Sequence, residues 1–204
     1  MGIPSECKMP DLSGLDSSLK ARLLVQVIVG DPGVSQEVGL YRRNFIRLVD
    51  KALNEYHEAR KAKLNVVAEK NRRDVKHLYI MFDFTDHIET CINAVRRLYK
   101  LLDRIKSEKQ SPEIPRELRK LVERKYDSIK NIRDGVEHMD DRIRSGERAV
   151  GEPIMLTVSE NNEALVVLDY ELKFEELAMV LKKMHEIAVH ILTVKKMEAE
   201  EPVV

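Results

Sequence analysis

Two long stretches of this chain carry apolar side chains at helical spacing, and that pattern leaves little room for anything but packed helices. In the first, Tyr41, Phe45, Leu48, Val49, Ala52, Leu53, Tyr56 and Ala59 fall on one stripe. In the second, Leu78, Met81, Phe82, Ile88, Cys91, Ile92, Val95, Leu98, Leu102 and Ile105 do the same. A stripe with this period buries one helix face and leaves the other to water. Aromatic residues make up only 5% of the chain and tryptophan is absent, so the core must be built from Leu, Ile, Val and Ala. That composition suits helix-on-helix packing better than an aromatic-lined barrel.

The spacing predicts a first long helix from near Ser35, with Lys61 to Arg73 either completing it or turning the corner. A second runs from about Asp74 to Lys109 and is broken by Ser111-Pro112-Glu113-Ile114-Pro115. A third spans about Pro115 to Arg144, with proline well placed at its start. Ile154 to Val158 and Ala164 to Leu168 flank an Asn-rich turn and read as a β-hairpin. A last helix covers about Phe174 to Lys195. Residues 19–29 fit a short helix or, through their β-branched cluster, a strand. The expected fold is mainly α: a bundle of four to five helices with a hairpin, at about 153–168, inserted before the last helix. Residues 1–33 form an N-terminal segment, partly loop, 34–196 a single helical domain, and 197–204 an acidic tail.

Thirty-five basic residues balance thirty-five acidic ones. The zero excludes a uniformly basic nucleic-acid coat and an acidic disordered chain. It is unevenly made: residues 34–74 carry a net +4, residues 96–130 a net +6, and residues 149–204 a net −6. A basic helical body is cancelled by an acidic hairpin, last helix and tail. Cys7 and Cys91 have neither metal-ligand nor disulfide spacing, which fits a reducing, cytoplasmic setting. No apolar run approaches the ~20 residues that cross a bilayer, so no membrane partner is expected. The N-terminus has no signal-peptide pattern, and Glu6 breaks a myristoylation motif.

The chemistry-bearing segment is Ile132-Arg133-Asp134-Gly135-Val136-Glu137-His138-Met139-Asp140. On a continuous helix Asp134 and His138 are i,i+4 neighbours, so the carboxylate can orient the imidazole. Arg133 sits one step around and brings a guanidinium suited to phosphate. An imidazole that moves a proton and an arginine that holds phosphate suffice for metal-free phosphodiester cleavage by a neighbouring 2′-hydroxyl. The helical angle puts Asp134 and His138 away from the apolar stripe, toward water or a partner. The same residues also read as a plain solvated face on which Arg133 and Glu137 neutralise each other. Gly135 either permits a close approach or is merely tolerated.

The run Arg133-Asp134-Gly135-Val136-Glu137-His138 resembles the arginine, polar residue, then histidine signature of the HEPN superfamily. Met139-Asp140-Asp141-Arg142 is similar to the acidic-then-arginine stretch that follows the histidine in some members. Asp134 stands where asparagine is often found, and the hairpin is not a general family feature. The resemblance covers about ten residues and otherwise agrees only in helical architecture. It implies a homodimer whose two motif helices share a cleft, and a metal-independent endoribonuclease of toxin or defence type. Arg133 would bind the phosphate, Asp134 orient the imidazole, and His138 act as general acid and base. RNA and a cognate antitoxin protein are the implied partners. Other members are inactive interaction or ligand-binding modules, which is the alternative reading.

No cofactor or metal is expected. Asp83, Asp86, His87 and Glu89, and Glu55, His57 and Glu58, are acid–histidine clusters, but no Glu-x-x-His pair of the di-iron kind occurs. His185 and His190 flank the last helix's apolar stripe and suit packing or surface roles. Gly-rich phosphate loops and nucleophile elbows are absent.

Overall fold

The computed structural model describes residues 6–15, 18–30, 35–68, 75–108, 114–146 and 155–198. Among these residues the chain is mainly helical, with a small antiparallel sheet just before the last helix. The helices are α1 (Leu19–Val29), α2 (Gln36–Ala68), α3 (Val75–Ser107), α4 (Arg116–Glu123), α5 (Tyr126–Glu137), α6 (Met139–Arg144) and α7 (Phe174–Glu198). The strands are β1 (Thr157–Val158), β2 (Ala164–Val167) and β3 (Tyr170–Lys173), in the order β1-β2-β3.

α2 and α3 form the spine. Phe45, Leu48, Val49, Ala52, Tyr56 and Ala59 of α2 are fully buried, as are Ile88, Cys91, Val95, Leu98 and Ile105 of α3. Ser35 caps α2: its Oγ accepts a hydrogen bond from the Val38 amide at 3.3 Å, satisfying a donor that the first turn leaves free. Across the seam His87 Nδ1 lies 2.8 Å from Glu55 Oε2, so two residues from separate acid–histidine clusters meet as a single pair. Burial pushes the Cys91 thiol up, as suits a small buried hydrophobe. The stripe on α3 begins later than its spacing indicates, because Met81 and Phe82 are exposed; Leu78 lies outside the described side chains.

Residues 6–15 are non-helical, yet they are fastened to this spine. Met9 and Leu12 are 2% exposed. The Tyr56 hydroxyl donates to the Pro10 carbonyl at 3.0 Å, and Arg60 Nε donates to the Met9 carbonyl at 3.1 Å. Residues 19–29, open between helix and strand by sequence, are helical and pack on α2 and α7. The expected boundary between residues 33 and 34 lies outside the described residues; that between 196 and 197 falls within α7, which runs to Glu198, and the tail from 199 on lies outside them.

One expectation is corrected and another is extended. The single third helix is three, broken at Arg124–Lys125 and at His138. No proline or glycine sits at the first break. There Tyr99, buried in α3, donates its hydroxyl to the Val122 carbonyl at 2.9 Å, and its ring meets Tyr126 edge-on at 5.1 Å. A helix end whose carbonyl is taken by a tertiary partner need not continue. The expected hairpin is present, as β1 paired antiparallel with β2, and a third strand adds to it. β2 pairs with β3 in the register Leu165↔Leu172 and Val167↔Tyr170. The link Leu168–Asp169 lacks the usual Gly or Asn, and Leu168 takes a left-handed φ of 56°. In β3 only Leu172 is buried, so Tyr170–Lys173 carries little strand signal of its own.

Lys63 is the exceptional core residue. It is 4% exposed, and its Nζ lies 4.5 Å from the Phe174 ring centre and 5.2 Å from that of Phe84. The ring faces partly replace water around the ammonium. Burial still pushes its pKa down, from an ordinary 10.5 to about 8. Below pH 8 both folded and unfolded chains are protonated there, so the penalty is fully present. Between pH 8 and 10.5 the unfolded chain binds the extra proton, and stability rises with pH. Lys63→Met is therefore expected to stabilise the protein at pH 7 by about 1–3 kcal/mol, the ring contacts offsetting part of the gain. Urea denaturation of both proteins at pH 7 and pH 10 tests this; an advantage that does not shrink at the higher pH contradicts it.

Candidate functional site

α5 packs against α3 on one side and against β2 and β3 on another. Its buried positions are Ile129, Ile132 and Gly135, with Met139 of α6 continuing the line. Gly135 is not a merely tolerated glycine. A Cβ placed there would lie 2.8 Å from Val167 Cγ1 and 3.6 Å from both Leu168 Cδ1 and Tyr170 Cδ2. The missing side chain lets the sheet seat directly on the helix that carries the motif.

His138 sits at the second break, with φ −94° and ψ 11°. Its amide still donates to the Asp134 carbonyl at 3.0 Å, while α6 restarts with Arg142 donating to the His138 carbonyl at 3.2 Å. The kink alters which side chains meet. The expected Asp134–His138 pair is replaced by His138–Asp141, with Nδ1 3.6 Å from Oδ2. Asp134 turns instead to its neighbour: Arg133 Nη1 lies 3.1 Å from Asp134 Oδ1. Arg133 Nη2 also contacts the Glu137 carboxylate, one helical turn on. The His138 side chain is 62% exposed, whereas that of Arg133 is 29% exposed. Asp141 further reaches Arg144, at 3.9 Å. These residues therefore make two local ion-pair groups, Arg133–Asp134–Glu137 and His138–Asp141–Arg144, side by side on an outer surface.

Beneath that surface lies a cleft of about 300 Å³, lined by Phe82, Thr85, Asp86, Glu89, Val136, Met139, Asp140, Ile143 and Met155. It joins the start of α3 to α6 and to the residues leading into β1. Three of its lining groups are carboxylates and none is a cation. Burial, and then the nearby Asp86 charge, raise the Glu89 pKa, while the Leu156 amide donates to its carboxylate and pulls it back. An acidic cleft of this kind repels phosphate, so an anion must approach from the Arg133–His138 side.

Spacing marks Asp141 only as part of the stretch after the histidine, and Asp86 and Glu89 only as a cluster weighed for metal; none is given a place beside His138. The signal for Asp141 is its i,i+3 position from His138, which outweighs Asp134 only once the helix is interrupted. Phe82 and Ile143 look like core positions by period, yet each is 47% exposed at the cleft. Among the described residues no group of three or more acid, His or Cys side chains is arranged to hold a metal ion. Nor is any described helix long and apolar enough to cross a membrane. No family model, curated protein or solved structure matches the chain.

Gly135→Ala should lower stability by about 1–3 kcal/mol despite alanine's better helix propensity, because the stiff, buried Val167 must give way. Thermal denaturation of Gly135→Ala, Val167→Ala and the double variant provides the check. The double variant is expected to be less destabilised than the two single effects combined; strict additivity would mean the contact at Gly135 is slack.

Proposed function

We propose that this chain is a HEPN-like, metal-independent endoribonuclease whose site is completed by a second copy, with Arg133, Asp134 and His138 in it. The observation that carries the reading is His138 itself. It stands at a helix interruption, exposed, with Nδ1 turned to the Asp141 carboxylate. A carboxylate on one ring nitrogen favours the tautomer whose Nε2 accepts a proton from the outside. In the reaction, His138 Nε2 takes the proton of an RNA 2′-hydroxyl. The 2′-oxygen attacks the adjacent phosphorus, and the bond to the 5′-oxygen breaks. The products are a 2′,3′-cyclic phosphate and a 5′-hydroxyl, the latter protonated by a second acid. One imidazole cannot be base and acid at the same instant, which is the chemical reason for a second copy and its His138. Arg133 neutralises the developing charge on phosphorus-bound oxygen. In this geometry Asp134 positions Arg133, and Asp141 takes over orientation of the imidazole.

A specific contact favours a second reading, that of a catalytically inactive helical interaction or ligand-binding protein. Arg133 is shared by two carboxylates, Asp134 and Glu137, whose negative charges offset its own and oppose the approach of a phosphate.

Incubating the purified protein with end-labelled RNA in EDTA separates the two. Under the ribonuclease reading the wild type cleaves without metal, and His138→Ala loses on the order of 100-fold or more in rate. Arg133→Ala is impaired, and Glu137→Gln, which frees Arg133, cleaves faster. Absent cleavage, or cleavage unchanged in His138→Ala, would leave the binding-module reading standing.

A further inference from the structure

Cys7 is held against α2 at the level of the buried Lys63, because its chain neighbours are pinned on both sides. The Glu6 carbonyl accepts a hydrogen bond from the Asn162 side-chain amide, and the Lys8 ammonium pairs with Glu163 at 2.7 Å. Both partners belong to the turn between β1 and β2. Further along, Arg60 holds the Met9 carbonyl and Tyr56 the Pro10 carbonyl. The segment therefore runs antiparallel to α2, with Pro10 at Tyr56 and Met9 at Arg60. Cys7, two residues earlier, lies toward Lys63, which is nearly one turn beyond Arg60. The β1–β2 side agrees. The Glu163 carbonyl accepts the Phe174 amide at 2.9 Å, and the Phe174 ring covers the Lys63 ammonium at 4.5 Å. Cys7 is also the ionisable side chain whose charge acts on Lys63.

Lys63 is a reactive kind of lysine. It is 4% exposed, and among the described residues it has no hydrogen-bond or ion-pair partner, only the Phe84 and Phe174 rings. Burial brings its pKa down to about 8, so near that pH much of the amine is neutral and nucleophilic. Cys7 is partly exposed and open to a small solute, whereas Cys91 is fully buried.

We propose that Cys7 is an oxidation site whose sulfenic acid is captured by Lys63, giving a reversible sulfur–nitrogen cross-link between the N-terminal segment and α2. The oxidant is a hydroperoxide. The Cys7 sulfur attacks a peroxide oxygen, the S–O bond forms and the O–O bond breaks, and the thiol proton leaves with the alcohol or water released. Sulfur is oxidised by two electrons and the peroxide is reduced by two. The Lys63 Nζ lone pair then attacks that sulfur. The S–N bond forms, the S–O bond breaks, and the hydroxyl departs as water with one amine proton. Two external thiols reverse the step, restoring thiol and amine as they become a disulfide. The Phe84 and Phe174 rings keep water from the linkage. Lys8, although adjacent in sequence, is the poorer nucleophile, since its hydrogen bond to the Glu163 carboxylate holds it protonated. Neither Cys7 nor Lys63 belongs to the Arg133–His138 surface, so the inference stands apart from the ribonuclease reading.

The test treats the full chain at pH 8 with hydrogen peroxide, removes the excess with catalase, and maps tryptic peptides by mass with and without dithiothreitol. The wild type is expected to yield a joined peptide containing Cys7 and Lys63, about 2 Da lighter than the sum of its two parts, with cleavage after Lys63 lost. Dithiothreitol should separate the parts and restore cleavage. Lys63→Met, its fold checked by circular dichroism, should give no joined peptide and instead hold a sulfenic acid at Cys7 that dimedone traps. If that variant does not fold, the wild-type map alone decides. An unreacted Cys7, a sulfinic acid there without any joined peptide, or a link to Lys8, to Cys91 or to a second copy overturns the proposal. So does a joined peptide that persists in folded Lys63→Met.

Discussion

The seam between α2 and α3 is the constraint on which everything else rests. Both helices offer stripes of fully buried apolar side chains, and the polar crossings between them, Glu55 with His87 and Arg104 with the Tyr41 hydroxyl, are partly exposed at the edges. The seam is held by many dispersion and hydrophobic terms, to which the fully buried Phe45 and Tyr56 of α2 contribute the largest side chains. The N-terminal segment is laid along it through Met9, Leu12 and the Tyr56 hydroxyl. α7 closes the other side, bringing Phe174 over Lys63.

From that spine the motif surface is positioned in two steps. Tyr99, rigid in α3, ends α4 by taking the Val122 carbonyl. α5 then follows a new path and receives the small sheet over Gly135. The sheet holds α5 from outside while α3 holds it from inside, and His138 is left at the interruption that follows. The arrangement sorts charges into separate places. Guanidinium and imidazole stand on the outer surface, while Asp86, Glu89 and Asp140 line the cleft below. Arg133 is ion-paired with its own neighbours, and a sequence excess of basic residues lies over 96–130.

Much of this was legible from residue order. The 3.6-residue stripes specify α2, α3 and α7, and the acid–Asn turn between β-rich arms specifies β1 and β2. The outward direction of His138 also follows from helical angle alone. Other features were not legible, for identifiable reasons. The break at Arg124–Lys125 contains good helix formers, and only the distant Tyr99 decides it. β3 contains one buried residue and is entered through a leucine in a left-handed conformation, so neither its alternation nor its turn announces it. Phe82 and Ile143 have the period of core residues but lie where the packing ends.

By itself, then, the order of residues determined that the chain would be mostly helical, which faces would be apolar, and that Arg133, Asp134 and His138 would lie close together, with His138 turned outward. Those properties follow from periodicity and from short-range spacing along one helix. Tertiary structure alone decided who pairs with whom. A small change of direction at His138 exchanges Asp134 for Asp141 as the imidazole's partner, because side-chain pairing on a helix depends on an unbroken turn.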